Sequence, residues 1–138
     1  KNLVICAVSL YEIGCDIESI DYCASTELIT KISKRFFSEN ETALLEEIDS
    51  SQKDSRLYTF YRFWTIKESY VKMTGEGLTL PLDSFQVKFI DDHAHIHHCD
   101  FPMDCYITEK DYEGYHISVC TKEPENGILC TLIDQPLS

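Results

Sequence analysis

Apolar positions along the chain change period several times, and each change marks a structural element. Residues 2–9, NLVICAVS, alternate: Val4, Cys6 and Val8 are set against Leu3, Ile5 and Ala7, as in a buried strand. A second strand is expected through IGCDIES, residues 13–19, after a turn near Tyr11 and Glu12, so that the two can form a hairpin. Over residues 25–37 the period becomes helical, with Leu28, Ile29, Ile32 and Phe36 on one face and Lys31, Lys34 and Arg35 elsewhere on the circumference. Ser38 followed three residues later by Glu41 is a capping box for a short helix carrying Ala43, Leu44, Leu45 and Ile48.

After the polar stretch DSSQKDS, Asp54 is placed to cap a long helix through Leu57, Tyr58, Tyr61, Trp64, Tyr70 and Val71. That helix should end near Thr74, with Gly75 at positive φ just beyond it. The runs SFQVKFI, AHIHH, CYITEK, YHISVCT and ILCTLI follow, short and alternating or apolar, separated by Asp, Gly and Pro. They predict an antiparallel sheet packed against the long central helix, an α+β fold. Only the final DQPLS looks loose.

Length and composition narrow this picture. The chain of 138 residues suits one domain, 1–138, and 43% hydrophobic content with eight Tyr and seven Phe argues against long disorder. It opens without methionine on an apolar strand, so further sequence is expected ahead of it. No apolar run is long enough to span a bilayer and no basic-then-apolar leader is visible, so a cytoplasmic protein without a membrane partner is expected. A net charge of -12 repels polyphosphate strands, which disfavours nucleic acid as a partner and requires a local cationic patch for any phosphate ligand. Seven cysteines without a CxxC signal neither a disulfide framework nor a zinc knuckle, and are read as reduced, mostly packed thiols.

Candidate chemistry lies in two places. Asp16 and Glu18 stand two apart in a predicted strand, so both carboxylates leave the same face and can converge on a hard cation such as magnesium. A D-x-E pair alone is also common on exposed strands. Glu68 and Lys72 lie one helical turn apart; as a surface ion pair they would contribute only about 0.3–0.5 kcal/mol. Gly75 and Gly77 are read as helix termination and a turn, since no helix follows them to make a phosphate cradle. His93, His95 and His97 alternate and are read as an exposed strand face, although Asp91, His98 and Cys99 add nominal zinc ligands.

The order of three strings changes the weight of these readings. GCDIE, then RFFSENE, then FWTIKESYVKMTGEGLTLPL together resemble the motifs of the surfactin-synthetase type of 4′-phosphopantetheinyl transferase, over residues 1–122. The resemblance implies transfer of 4′-phosphopantetheine from coenzyme A to a serine of an acyl or peptidyl carrier protein, with magnesium. Carried over residue by residue, it makes Asp16, Glu18 and Glu68 the metal ligands and Glu68, directly or through water, the base. Lys72 becomes a contact to the coenzyme A phosphates and Lys67 a second phosphate candidate. Glu41 matches the glutamate after RFFS, where a helix-cap role competes, and Trp64 reads as a core anchor.

Members of this type have two similar lobes, and the chain resembles the second, without the first lobe's serine-histidine-serine motif and basic residues. Three readings follow: an enzyme completed by an upstream N-terminal lobe, a one-lobe enzyme completed by a second subunit, or a non-catalytic module binding a carrier protein or divalent ion. For a carrier, usually acidic, Lys31, Lys34 and Arg35 are the candidate docking residues.

Overall fold

The computed structural model describes residues 3–98 and 104–124. Its elements are β1 (Ile13–Ser19), α1 (Thr26–Phe36), α2 (Glu39–Glu47), α3 (Lys53–Thr74), β2 (Gln86–Ile90), β3 (His93–His97), β4 (Tyr106–Tyr112) and β5 (Tyr115–Thr121). An antiparallel sheet of order β1-β5-β4 packs on α3, and β2 and β3 form a separate hairpin. The fold is α+β with a long central helix, as expected.

Local signals decide the helices. Ser25 caps α1 by accepting from the Leu28 N–H, and Ser38 with Glu41 completes the capping box of α2 in both directions. Gly75, at φ 73, ends α3 in the left-handed conformation that glycine adopts without a Cβ penalty. Asp54 does not cap α3. Gln52 holds that position behind a 3-10 turn, Ser50–Gln52, which Asp49 caps instead; Asp54 lies in the first turn, where the helix dipole favours its charge.

The two hairpins turn on pairs of residues at positive φ, Asp91 with Asp92 and Glu113 with Gly114, matching the right-handed twist of their strands. The predicted pairing of residues 2–9 with 13–19 does not occur: residues 3–9 carry no strand, and Val4 and Val8 are exposed. β1 pairs with β5 instead, in a register running from Ile13 opposite Thr121 to Ser19 opposite Tyr115. A two-stranded hairpin is marginal alone, whereas β5 offers β1 a central strand backed by a helix. Among the described residues the predicted single sheet is likewise two. ILCTLI and DQPLS lie outside the described residues, as do Cys99 and Cys130.

α3 has buried side chains around most of its circumference because it lies between two layers. Phe60, Phe63 and Ile66 join Ile29, Phe37, Leu45 and Val87, while Tyr70, Val71 and Met73 join Leu80, Phe85 and Cys120. Gly14 allows the closest approach of helix and sheet: a Cβ there would collide with the Ser69 carbonyl oxygen and the Met73 backbone nitrogen. The strand that carries Asp16 is thereby laid directly on the turn of α3 that carries Lys72. Of the cysteines, Cys120 is buried, but Cys6 and Cys23 are exposed, contrary to the expectation of mostly packed thiols.

Candidate active site

Gly14, Asp16 and Glu18 of β1 stand opposite Cys120, Ser118 and His116 of β5. Directly paired residues share a face, and this one turns toward α3: the Ser118 and Ser69 hydroxyls are 2.9 Å apart and buried. Above it, Lys72 donates to Asp16 Oδ1 at 2.6 Å and to the Cys15 carbonyl at 3.1 Å. On the lysine's side, the alternative of a plain i, i+4 pair with Glu68 gives way to a link between helix and strand. The other carboxylate oxygen, Asp16 Oδ2, is buried and has no hydrogen-bond partner.

The three acids sense one another. Burial raises the Glu18 pKa, the charges of Asp16 and Glu68 raise it further, and Lys72 and a hydrogen bond from the Trp64 indole oppose the rise. Burial and the Asp16 charge raise Glu68, with Lys72 opposing. Asp16 itself is raised by burial against the pull of Lys72. Such mutual destabilisation of like charges is relieved by a cation or a proton. As they stand, no three His, Cys, Asp or Glu side chains among the described residues close into a metal-holding group. What the cluster offers a hard cation is a buried, unpartnered carboxylate oxygen beside two further carboxylates held at raised pKa, an all-oxygen donor set. The residues fit magnesium in chemistry.

A protein-family model described as the 4′-phosphopantetheinyl transferase superfamily matches residues 12–120. The chain belongs to that superfamily. It is 39% identical over 126 residues to the 4′-phosphopantetheinyl transferase Sfp of Bacillus subtilis, an alignment covering 88% of this chain and 52% of that protein. It is 35% identical over 119 residues to the transferase gsp of Aneurinibacillus migulanus, covering 86% and 47%. The chain thus spans about half the length of the curated relatives it matches. Its fold is similar to that of the Helicobacter pylori holo-acyl-carrier-protein synthase, solved with coenzyme A, at TM-score 0.61 and 20% identity over 79% of this chain and 97% of that one. A Bacillus anthracis synthase gives TM-score 0.59 at 17% identity, over 80% and 93%.

In this member of the transferase superfamily, Lys67 does not face the acid cluster. Its side chain is 0% exposed; it pairs with Glu41 at 2.9 Å and donates to the carbonyls of Leu82 and Phe85, each at 2.7 Å, with the Phe85 ring beneath it. The reading of Lys67 as a phosphate contact is corrected: adjacent residues on a helix point about 100° apart, which turns Lys67 away from the direction of Glu68 and onto Glu41 of α2. Burial lowers the Lys67 pKa and the Glu41 charge pulls it back. Glu41 performs the cap and more, accepting from Ser38 N at 2.7 Å and Val87 N at 2.6 Å. Trp64 packs edge-on against Phe36 and also holds the Glu18 pKa down, so the core anchor reaches the site.

Two other readings resolve on the surface. His93, His95 and His97 are exposed along β3, as expected. Lys31, Lys34 and Arg35 are exposed on α1, with Lys34 paired to Glu46 at 3.2 Å and Arg35 over the Phe36 ring. No helix among the described residues is long and apolar enough to cross a membrane.

One charged network had no counterpart in the sequence reading. Arg62 of α3 holds Glu109 of β4 through two hydrogen bonds of 2.8 Å and Asp92 of the hairpin turn at 2.6 Å. His116 bridges Glu109 at 3.0 Å and Asp111 at 2.6 Å, and Tyr58 donates to Asp111 at 2.7 Å. Burial pushes the Glu109 pKa up, but Arg62 and His116 overcome it and hold it at about 2. The available signal was the period-two spacing of Glu109 and Asp111 across a Glu113-Gly114 turn from His116.

Proposed function

We propose that this chain contributes the Asp16, Glu18, Glu68 and Lys72 side of an active site that transfers 4′-phosphopantetheine from coenzyme A to a carrier-protein serine. The observation that supports the reading is the Lys72–Asp16 contact at the β1–α3 crossing, with Glu18 and Glu68 near enough to feel the Asp16 charge, within the segment the superfamily matches. Asp16 through Oδ2, with Glu18 and Glu68, would hold magnesium; when bound, that ion supplies charge neutralisation and orientation at a pyrophosphate. Lys72, its side chain half-exposed, is the cation that exchanges Asp16 for a phosphate oxygen. Glu68, whose raised pKa makes its carboxylate a better proton acceptor, takes the proton from the serine hydroxyl. The serine oxygen then attacks the phosphorus bearing the pantetheine arm, and the bond to 3′,5′-ADP breaks.

The basic residues of α1 are the proposed docking face for an acidic acyl or peptidyl carrier protein, in a cytoplasmic setting. Because the chain spans about half of its curated relatives, we assign it to one lobe, completed by an N-terminal lobe or by a second subunit. The test is to incubate the two-lobe protein with coenzyme A, magnesium and an apo carrier, and to weigh the carrier by mass spectrometry. A gain of one phosphopantetheine, suppressed by Asp16→Ala and by Glu68→Ala, is expected. A carrier that binds without gaining mass would replace this reading with a non-catalytic carrier-binding module.

A further inference from the structure

Next along the same sheet face from Asp16 and Ser118, two cysteines are neighbours. Cys105 immediately precedes β4, and Cys120 lies in β5 opposite Ile107. Residues 105 and 107 share a face, so Cys105 and Cys120 are diagonal neighbours across adjacent strands, and Cys105 packs against the apolar cluster that holds Cys120. Both belong to the apolar cluster around Tyr70 and Phe85. Their surroundings differ. Cys120 is 0% exposed and its thiol lies 3.5 Å from the Met73 sulfur, whereas Cys105 is half-buried and lines an open cavity of about 450 Å³ with His93, His95 and Tyr106.

From this geometry we propose that Cys105 and Cys120 form an oxidisable pair, in which a small hydroperoxide entering the cavity attacks Cys105 and Cys120 resolves the product to a disulfide. The assignment of roles follows from access and chemistry. Reagent reaches Cys105 and not Cys120. The neighbouring Cys120 thiol lowers the Cys105 pKa, with the Ile96 backbone assisting, against burial and the Asp104 charge; the same neighbour and burial raise Cys120. An accessible thiol with thiolate character beside a second, resolving thiol is the arrangement that oxidises reversibly.

The chemistry balances in two steps. The Cys105 thiolate attacks one peroxide oxygen, the O–O bond breaks, and the departing hydroxide takes a proton to become water, or an alcohol if the peroxide is organic. Sulfur is oxidised to a sulfenic acid as the peroxide is reduced. The Cys120 sulfur then attacks the sulfenic sulfur; the S–O bond breaks, its oxygen leaves as water with the Cys120 proton, and an S–S bond forms. The Cys120 sulfur would thereby lose its thiol contact to Met73, the residue after Lys72.

Treating the folded chain with hydrogen peroxide at low molar excess, alkylating under denaturing conditions and mapping the peptides tests this. Cys99 falls on the same tryptic peptide as Cys105, so a Cys99→Ser background assigns the bond. The expected result is loss of alkylation at Cys105 and Cys120 together, a peptide linked between them, and recovery of both thiols with dithiothreitol. In Cys105→Ser, a change at a half-buried position, Cys120 should stay fully alkylated after the same treatment. Cys105 passing to sulfinic acid while Cys120 stays free, or both remaining free while exposed Cys6 and Cys23 oxidise, would overturn the proposal. Since the readout is thiol chemistry, it stands or falls independently of phosphopantetheine transfer.

Discussion

Lys67 and Lys72 are five residues apart on one helix and do different work. Lys67 is sealed between Glu41 and two carbonyls, so Lys67→Met should leave the Glu41 charge buried without its partner and cost about 3–5 kcal/mol, read as a shift in the urea midpoint. A loss below about 1 kcal/mol would mean that the pair is structurally idle. Lys72 instead tempers the acids around it. Lys72→Met should raise the pKa of Asp16 and Glu68 further, because its pull is the opposing influence on both, and carboxylate titration by NMR would show unchanged values if the lysine were not engaged. From the sequence, spacing alone leaves Glu68 and Lys72 as an i, i+4 pair; it is the ordered motifs of the resemblance that set them beside Asp16, and the structure has Lys72 on Asp16. Neither spacing nor motif gives the fate of Lys67, because burying an ammonium depends on Glu41 arriving from another helix 26 residues earlier in sequence.

Elements were legible wherever their signals are local. The α1 and α2 caps, the glycine stop of α3 and the positions of all five described strands follow from residues within one turn of each boundary. Partnerships were not. β1 carries alternation compatible with many neighbours, and its true neighbour lies about 100 residues on, so apolar residues 2–9 present themselves in sequence as its partner. The crossing of β1 with α3 depends on Gly14, whose missing side chain no periodicity argument weighs. Gly14→Val should force helix and strand apart, lowering stability by about 1–3 kcal/mol and breaking the Lys72–Asp16 contact. Crystallography of the variant would settle it: an unchanged 2.6 Å contact would show that the crossing tolerates a side chain.

At the scale of the whole molecule, the Arg62–Glu109–His116–Asp111 network ties α3, the β2–β3 turn, β4 and β5 together, and it predicts a pH window. Glu109 has its folded pKa depressed from 4.5 to about 2, so its contribution is present above about 4.5 and lost as pH falls toward 2. His116 has its folded pKa raised above 6.5 by Glu109 and Asp111 against burial, so its contribution is present below about 6.5 and lost as pH rises through the folded value. The difference in urea midpoint between the native chain and Glu109→Gln should therefore peak between these limits and shrink on both sides; a flat difference from acid to alkaline pH would contradict it. The same view of the molecule gives the buried Lys67 a second meaning. With its ammonium keyed into one layer, α3 cannot roll about its own axis without dragging a charge into oil, and the next residue, Glu68, is thus indexed to a fixed azimuth over the sheet.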